Sequence, residues 1–228
     1  MRARVLVTTR AGGRSAPPYD ENNLALHVGD DPDVVAANRQ RLAGELGVDR
    51  VQFMHQVHGA AVVIADASTD GDVPDADALV TTTRGLAIAV LVADCVPIAL
   101  VSRRAIAVVH AGRRGLVEGI VPAAVDAIRR YDEGPIAATV GAAICGGCYE
   151  VPADMQAEVA GVVPAAKATT ATGTPGLDLP AAVRSQLRDA GVDVTNESAP
   201  CTREDPRYYS HRRDGVTGRF AMVAMLEP

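Results

Sequence analysis

Two histidines and one cysteine occupy positions at which side chains commonly gather to do chemistry. His58 occurs in VHG, Cys95 in ADCVP and His110 in VVHAG, each beside a small residue or a turn at the end of an apolar run. Such runs predict strands, and side chains at strand ends can meet at one edge of a sheet. Two His and one Cys suit Zn²⁺ and leave a fourth coordination position open, which is typical of a catalytic zinc site.

The residue types alone leave other interpretations of this trio open. The three positions are too widely spaced for a compact zinc finger. Cys95 can instead be an ordinary buried thiol, with both histidines bonded to backbone groups. A further interpretation is a metal-free hydrolase in which Cys95 is the nucleophile and His110 is the base. A chelator would spare such a hydrolase, whereas a thiol alkylator would inactivate it.

The elements that must position the trio form a mixed pattern of strands and helices. Short β-branched runs predict strands at 4–9, in VQFMHQV and AVVIA on either side of His58, repeatedly between 76 and 110, and in IAATVG, VDVTN and FAMVAML. Several runs are apolar at nearly every position, as in strands covered on both faces. We therefore predict an α/β (α+β) fold with mixed β-sheets flanked by helices, in one domain spanning 1–228.

The helices are predicted from their end signals. The DP pair at 31–32 predicts the start of a helix that runs through VVAANRQRLAGEL. A second helix is expected after Gly112, kinked or divided at Pro122. Two more are predicted at about 152–162 and about 177–190, the second capped by Asp178 and ended by Gly191.

Composition and charge exclude several classes of protein. The chain has 228 residues, of which 48% are hydrophobic, and a formal net charge of −6 without a basic tract. Nucleic acid is therefore not an expected partner. The apolar runs fall short of the roughly 20 residues of a membrane helix, and VLV near the N-terminus is too short for a signal peptide. We expect a cytoplasmic protein whose four cysteines are reduced thiols.

Seven segments of the chain resemble the successive motifs of one family. They are NLALHVGDDPDVVAANRQRL, QVHGAAVVIAD, ADALVTT, ADCVPIALV, VVHAGRRGL, CYEV and YYSHRRDGVTGRFAMVAML, and they span roughly residues 12–226. They are similar to the YfiH-like laccase-domain family, also described as multicopper polyphenol oxidoreductases and as purine nucleoside phosphorylases. One QxHG motif would be weak evidence, whereas seven motifs in the family's order are specific.

The resemblance implies a ligand set and a range of activities. The family's metal ligands fall on His58, Cys95 and His110, which leaves His55 as a neighbour. Members are associated with phosphorolysis of adenosine, inosine and S-methyl-5′-thioadenosine and with adenosine deamination; phenol oxidation with copper and peptidoglycan editing are also described. The expected cofactor is Zn²⁺, with Cu²⁺ possible at the same site. The expected partners are nucleoside and phosphate, without nucleic acid or membrane, in a monomer or homodimer.

Phosphorolysis requires cations that hold phosphate, and three arginines are candidates. Arg114 lies at the expected start of a helix, and the guanidinium forks of Arg212 and Arg213 suit phosphate oxygens. The alternative is that these arginines form structural ion pairs. Asn23, in the N-terminal loop, and Gln56, beside His58, are assigned to the substrate-binding region. Gln56 is expected to support the site rather than to bind the metal.

Two positions depart from the family pattern. The usual HAGWRG is HAGRRG in this chain, so Arg113 stands where tryptophan is common and replaces a flat apolar surface with a cation. The usual SYRRDG is SHRRDG, which places His211 at an aromatic position. We expect His211 to be exposed or packed rather than functional, and the change at Arg113 to alter the shape of the pocket.

Cys145 and Cys148 form a Cys-Gly-Gly-Cys sequence outside the trio. A redox pair of this kind belongs at a helix start in a thioredoxin-like unit, which the surrounding sequence does not predict. A zinc knuckle would need a second pair of ligands. We therefore expect no independent function for the pair, and assign no role to Cys201.

Two further functions remain alternatives to a nucleoside enzyme. A multicopper laccase needs many histidines, and five are too few, so copper chemistry would be confined to the trio. A non-enzymatic scaffold that keeps the fold is the second alternative. Nucleoside turnover above the rate of a His58→Ala variant would exclude the scaffold.

Overall fold

The computed structural model describes residues 2–228, within which the strands form three sheets. The strands are β1 (Ala3–Val7), β2 (Val51–Gln52), β3 (Val62–Ile64), β4 (Ala78–Thr81), β5 (Ala87–Val92), β6 (Val96–Val101), β7 (Ile106–Ala111), β8 (Ala137–Val140), β9 (Lys167–Thr169), β10 (Pro175–Leu177), β11 (Asp193–Val194) and β12 (Phe220–Leu226). The largest sheet has the order β11-β8-β6-β7-β4-β3, the second β1-β12-β5-β2, and β10 pairs with β9 alone. Parallel and antiparallel pairs occur in both larger sheets.

The helices connect and cover these sheets. They are α1 (Pro32–Leu46), α2 (Arg113–Glu118), α3 (Ile120–Arg129), α4 (Ala153–Val162), α5 (Leu179–Asp189) and α6 (His211–Asp214), with a short 3₁₀ turn at Pro164–Ala166. Asp31 caps α1 by accepting the backbone N–H of Asp33, and Pro32 begins the helix, as the DP pair predicts. Asp178 caps α5 in the same way through Ala181.

The two larger sheets pack face to face around a core between them. Ile88 and Val90 of β5 and Met222 of β12 meet Leu79 of β4 and Val108 of β7, all of them fully buried. The outer face of the six-stranded sheet is covered by α3 and α5, and the outer face of the four-stranded sheet by α1. Mixed sheets flanked by helices confirm the predicted fold class.

Burial on both faces explains why the strands are apolar at nearly every position. Met222 and Ala224 of β12 point into the core between the sheets, whereas Val223 and Met225 point towards α1. Successive side chains of a strand point to opposite faces, so a strand with two buried faces needs an apolar residue at each position. The same alternation occurs along β4, β5 and β7.

Two predicted elements differ in the structure. In VQFMHQV only β2 is a strand, because the backbone of Phe53 and His55 then bonds to Val73, in a loop, instead of to a sheet. The predicted break at Pro122 is wrong. The helices α2 and α3 are divided at Gly119, whose φ of 89° ends α2, and Pro122 lies in the first turn of α3, where its missing N–H costs no helical hydrogen bond.

The longest helix is α1, with 15 residues. None of the helices within residues 2–228 has the length and apolar character needed to cross a membrane.

Candidate metal centre and its cavity

The structure brings His58, Cys95 and His110 together at one end of the two packed sheets. His110 is in β7, Cys95 is in the turn from β5 to β6, and His58 is in the loop between β2 and β3. Their ligand atoms all lie within 4.8 Å of one another. The Sγ atom of Cys95 is 3.8 Å from Nε2 of His58, close to the separation of about 3.6 Å that a tetrahedral zinc imposes on a sulfur and a nitrogen ligand. The donor set and its geometry therefore fit a metal ion.

One buried carboxylate holds both histidines, and sequence analysis assigned it no role. Asp77 immediately precedes β4 and is fully buried. Its Oδ1 accepts Nδ1–H of His110 at 2.7 Å and the backbone N–H of His58 at 2.9 Å, while Oδ2 accepts the N–H of Gly59 at 2.7 Å. A carboxylate on the second nitrogen of a ligating histidine fixes its tautomer and ring orientation. Nε2 of His110 is thereby left for the metal.

The strand register explains how Asp77 reaches His110. Ala78 of β4 pairs with Val109 of β7 in an antiparallel ladder, so the residues on either side of this pair are neighbours. The N–H of His110 also donates to the carbonyl of Asp77 at 2.7 Å. Asp77 is the aspartate of the ADALVTT motif, but its partners come from segments far apart in the chain.

The protonation states of the metal-free site correspond to a charged pair. Burial raises the pKa of the Cys95 thiol, but the adjacent His110 and His58 outweigh burial and lower that pKa to about 6. Burial lowers the pKa of His110, but the Cys95 thiolate and Asp77 raise that pKa to about 9. Burial raises the pKa of Asp77, but its hydrogen bonds from His110 and from backbone N–H groups give a net decrease. A thiolate ready to bind a metal is therefore present at neutral pH.

The glycines of HAGRRG make room for the site. A Cβ atom on Gly112 would lie 2.8 Å from Cδ2 of His58 and 3.3 Å from Sγ of Cys95. On Gly115 it would lie 2.5 Å from the carbonyl oxygen of Gly59. Both glycines therefore allow α2 to approach the loop that carries His58. His58 itself has a φ of 61°, a strained conformation that the N–H bonds to the Asp77 carboxylate support.

A cavity of about 470 Å³ opens beside the three ligands. Four arginines line it, namely Arg113, Arg114, Arg212 and Arg219, together with Tyr149. Arg113 thus lies on the cavity wall, so the cation that replaces tryptophan changes the lining directly. His211, which was expected to be exposed or packed, is exposed and also lines the cavity.

The predicted phosphate-binding residues Arg114 and Arg212 both reach the cavity. Arg114 is largely exposed, and its Nε donates to Glu118 at 3.3 Å. Arg212 donates to the carbonyl of Glu150 at 3.0 Å, and its guanidinium carbon lies 4.9 Å from the centre of the Tyr149 ring. The two guanidinium groups therefore differ, because Arg212 is held in place and Arg114 makes one solvent-exposed ion pair.

Two other residues assigned to substrate binding are not brought to the cavity. Asn23 is fully buried, and its Oδ1 accepts the backbone N–H of Arg219 at 2.9 Å. Arg213 donates to the carbonyl of Tyr208 and to the carboxylate of Asp214, each at 2.8 Å. Their polar atoms are paired within the protein, an arrangement that suits structural roles, and their assignment to substrate binding stays a prediction.

Gln56 and Asp94 support the site through the backbone. The amide of Gln56 donates to the carbonyl of Leu91 at 2.8 Å and accepts its N–H at 2.9 Å, which fastens the His58 loop to β5. Asp94 accepts the hydroxyl of Ser210 and the N–H of Arg212, both at 2.6 Å, and so holds the start of α6. Gln56 also lines the cavity, and its amide is already paired.

The fold gathers three metal-ligand side chains at one end of two packed mixed sheets. Comparison with known proteins identifies the family. The chain belongs to the family described as multi-copper polyphenol oxidoreductase laccase, whose model matches residues 4–227. This result confirms the resemblance seen in the sequence motifs.

Similar proteins cover nearly the whole chain. A Streptomyces coelicolor protein named purine nucleoside phosphorylase is 52% identical over 227 residues, which are 96% of this chain and 94% of that protein. A crystal structure of a Neisseria meningitidis protein of family DUF152 has a TM-score of 0.88 at 34% identity and covers 99% of this chain and 95% of its own. The crystal structure of the hypothetical protein YfiH from Bacillus licheniformis has a TM-score of 0.89 at 30% identity. It covers 99% of this chain and 93% of its own.

Proposed function

We propose that this chain is a zinc-dependent purine nucleoside phosphorylase that acts on adenosine, inosine and S-methyl-5′-thioadenosine and also deaminates adenosine. The name and 52% identity of the Streptomyces coelicolor relative support the phosphorylase class. In this reaction the bond between the anomeric carbon and the purine nitrogen breaks, and a phosphate oxygen bonds to that carbon. The base leaves with the electron pair and takes up a proton.

The observation that carries the proposal is that the metal-ligand trio and a group of arginines face one cavity. The volume of about 470 Å³ lies within the range of small-molecule sites, roughly 300–1,000 Å³. Arginine forks bind phosphate oxygens in pairs, and four such groups surround the same space. A cavity with a metal site and several arginine cations suits a substrate pair of which one member is an anion.

In this proposal Arg212 and Arg114 both bind phosphate, from different starting states. Arg212 is oriented in advance by the Glu150 carbonyl and by the ring of Tyr149. Arg114 can exchange its exposed carboxylate partner, Glu118, for phosphate, because an exposed ion pair contributes only about 0–1 kcal/mol. Holding the two reactants in place lowers the entropy cost of their reaction.

The ligands of the metal and their support have separate roles. His58, Cys95 and His110 would hold the ion, which when bound supplies a Lewis acid and, for deamination, a means of activating water. Asp77 keeps the Nδ1 proton of His110 on the side away from the cavity, and it holds His58 through its backbone N–H. The ring nitrogens therefore stay aimed at one point while substrate enters.

Chromatography of reactions with and without phosphate tests the proposed activity. Metal-analysed protein is incubated with adenosine, inosine or S-methyl-5′-thioadenosine, and free base and ammonia are measured. We expect base release only when phosphate is present. Of the three nucleosides, only adenosine should give ammonia. Base release that is independent of phosphate, or no turnover by zinc-loaded protein, would contradict the phosphorylase assignment.

Alanine variants of two arginines that line the cavity test the phosphate contacts. We expect Arg212→Ala and Arg114→Ala to raise the KM for phosphate by about 10- to 100-fold each, since a charged hydrogen bond contributes about 1.5–3 kcal/mol. Arg213→Ala is the matched control, because Arg213 bonds to Tyr208 and Asp214 instead of facing the cavity. The control should lower the melting temperature with little change in KM. An unchanged KM in the double variant Arg114→Ala/Arg212→Ala would refute the assignment.

A metal-free cysteine hydrolase is a second candidate, because the contacts of Asp77, His110 and Cys95 also suit a nucleophile with an oriented base. Asp77 accepts Nδ1–H of His110, and the sulfur of Cys95 lies within 4.8 Å of the imidazole. Removal of metal by a chelator separates the candidates. Activity that survives complete metal removal and is abolished by thiol alkylation would favour the hydrolase.

A further inference from the structure

A second group of metal-ligand side chains lies outside the cavity of the trio. The sulfur atoms of Cys145, Cys148 and Cys201 and a carboxylate oxygen of Glu204 all lie within 4.8 Å of one another. All three cysteines are free thiols in the described chain. We propose that these four residues bind one Zn²⁺ in a closed, structural site that is separate from the metal centre.

The distances within this group suit tetrahedral zinc. Sγ of Cys148 is 3.5 Å from Oε1 of Glu204. A zinc ion with ordinary bond lengths to sulfur and carboxylate oxygen would place these two atoms about 3.6 Å apart. The remaining pairs, within 4.8 Å, need side-chain movements of no more than about 1 Å to reach the roughly 3.8 Å expected between two zinc-bound sulfurs.

The Cys-Gly-Gly-Cys turn presents its two sulfurs on one side. The N–H groups of Cys148 and Tyr149 both donate to the carbonyl of Cys145 at 3.0 Å, which closes the turn. Gly146 is needed because a Cβ atom there would lie 2.8 Å from Cβ of Asp178. A tight turn between two cysteines is the usual way in which a zinc site obtains its first pair of ligands.

The other two ligands come from a segment more than fifty residues further along the chain. Cys201 lies beside the turn because the N–H of Thr202 donates to the carbonyl of Ala143 at 3.1 Å. The N–H of Cys145 donates to Sγ of Cys201 at 3.4 Å, a bond that stabilises a thiolate. The N–H of Glu204 donates to the carbonyl of Cys201 at 3.2 Å and brings its side chain back to the group. These contacts join positions far apart in the chain, so the linear pattern shows only the two cysteines of the turn.

The ligand chemistry selects zinc and a structural role. Three soft thiolates favour Zn²⁺ over Mg²⁺, Ca²⁺ or Mn²⁺. Four protein ligands leave no position for substrate, unlike the three of the trio. Cys148 is buried and Glu204 is exposed, so the ion would sit just below the surface and enter from the Glu204 side.

The position of the site connects two walls of the cavity. The first ligand pair is followed directly by Tyr149, which lines the cavity. The second segment contains Thr202, whose hydroxyl donates to Asp94 at 2.6 Å, and Asp94 in turn holds the N–H of Arg212. A zinc ion between the segments would therefore fix Tyr149 and Arg212 relative to each other.

Metal counting on complementary variants tests the second site. Protein purified from zinc-supplemented cells under reducing conditions, without chelator, is analysed by mass spectrometry for metal per chain. We expect two zinc ions in the unmodified chain and one in Cys95→Ala. We also expect one in the double variant Cys148→Ala/Cys201→Ala. Glu158→Gln, at an exposed position of α4, is the control for Glu204→Gln, which should bind the second ion more weakly.

Cobalt spectra identify which site is filled, independently of activity. Cys95→Ala loaded with Co²⁺ should show charge-transfer absorption from the three thiolates of the second site. This absorption should be about three times that of Cys148→Ala/Cys201→Ala, in which the metal-ligand trio supplies one thiolate, Cys95. If the double variant fails to fold, Cys95→Ala alone decides. No bound metal in folded Cys95→Ala would overturn the proposal. A disulfide among Cys145, Cys148 and Cys201, trapped by alkylation and found by mass spectrometry, would do the same.

Discussion

At the scale of single residues, Asp77 holds two of the three residues of the candidate metal centre. Its two carboxylate oxygens accept hydrogen bonds from the ring of His110 and from three successive backbone N–H groups, those of Val57, His58 and Gly59. The carboxylate therefore orients one ligand through its side chain and another through its backbone. Four donors on one buried carboxylate also keep it ionised, which is the state that a ligating histidine requires of its partner.

We expect Asp77→Asn to weaken zinc binding by about 10- to 100-fold, the usual effect of removing such a partner. An amide has one acceptor oxygen, so its NH₂ group would face donors at the other position. Zinc affinity is measured by competition with a chromophoric chelator. Asp75→Asn is the matched control, since Asp75 is exposed and pairs only with exposed His55. Equal affinities for the two variants would contradict the role of Asp77.

The lowered pKa of Cys95 predicts how the metal-free protein reacts with iodoacetamide. The pKa of about 6 lies below the ordinary thiol value of 9.0, so Cys95 is mostly thiolate at neutral pH and loses reactivity as pH falls through about 6. Cys148 should react slowly, because burial and the thiols of Cys145 and Cys201 raise its pKa to about 12. Labelling rates at each cysteine are followed by peptide mass spectrometry. An inflection near 9 for Cys95 would contradict this account.

The three ligand candidates were predictable at this scale, whereas their supports were not. His58, Cys95 and His110 carry side chains with few other uses, and each stands beside a turn at the end of an apolar run. Asp77 is one aspartate among many, and only strand pairing places it against His110. Arg213 has the same residue type as Arg212, but the direction of its side chain depends on contacts that the sequence does not display.

At the scale of elements, the core between the sheets holds the strand ends in place. Asp77 precedes β4 and His110 ends β7, and the fully buried side chains of these strands alternate between two cores. Each fully buried aliphatic side chain contributes roughly 1.5–3 kcal/mol. His110 and its partner Asp77 are therefore held by rigid strands, whereas the arginines of the cavity lie on the short helices α2 and α6 and near β12.

We expect Leu79→Ala, in the core between the sheets, to lower the free energy of unfolding by about 2–5 kcal/mol, because it removes buried surface and leaves a cavity. Ile64→Ala, on β3 with 43% of its surface exposed, should cost about 1 kcal/mol or less. Urea unfolding at an unchanged m-value measures both. Similar losses for the two variants would show that the sheets do not share a tightly packed core.

The strands in the middle of the chain were predictable because burial on both faces leaves continuous apolar runs. The segment VQFMHQV was also predicted as a strand, but after β2 its backbone pairs with the loop residue Val73, which no local pattern predicts. The break between α2 and α3 was predicted at Pro122 although Gly119 causes it. Proline is compatible with the first turn of a helix, and the structure uses it there.

At the scale of the whole molecule, the charge of the cavity is opposite to that of the chain. The formal net charge is −6, yet four arginines from three separate segments line one cavity. The net charge disfavours nucleic acid as a partner, but it does not show that the basic residues converge. Such local convergence raises the concentration of an anion at the site without making the whole surface basic.

The most direct test of the central claim compares phosphate-dependent release of purine base by the unmodified chain, His58→Ala and His55→Ala. Each variant loses one imidazole, and the two positions are three residues apart. Only His58 belongs to the ligand trio. We expect His55→Ala to keep the activity of the unmodified chain, and His58→Ala to lose at least about 100-fold, since a metal ligand contributes several kcal/mol to catalysis. Equal activity in the two variants, or base release that does not require phosphate, would contradict a phosphorylase built on this site.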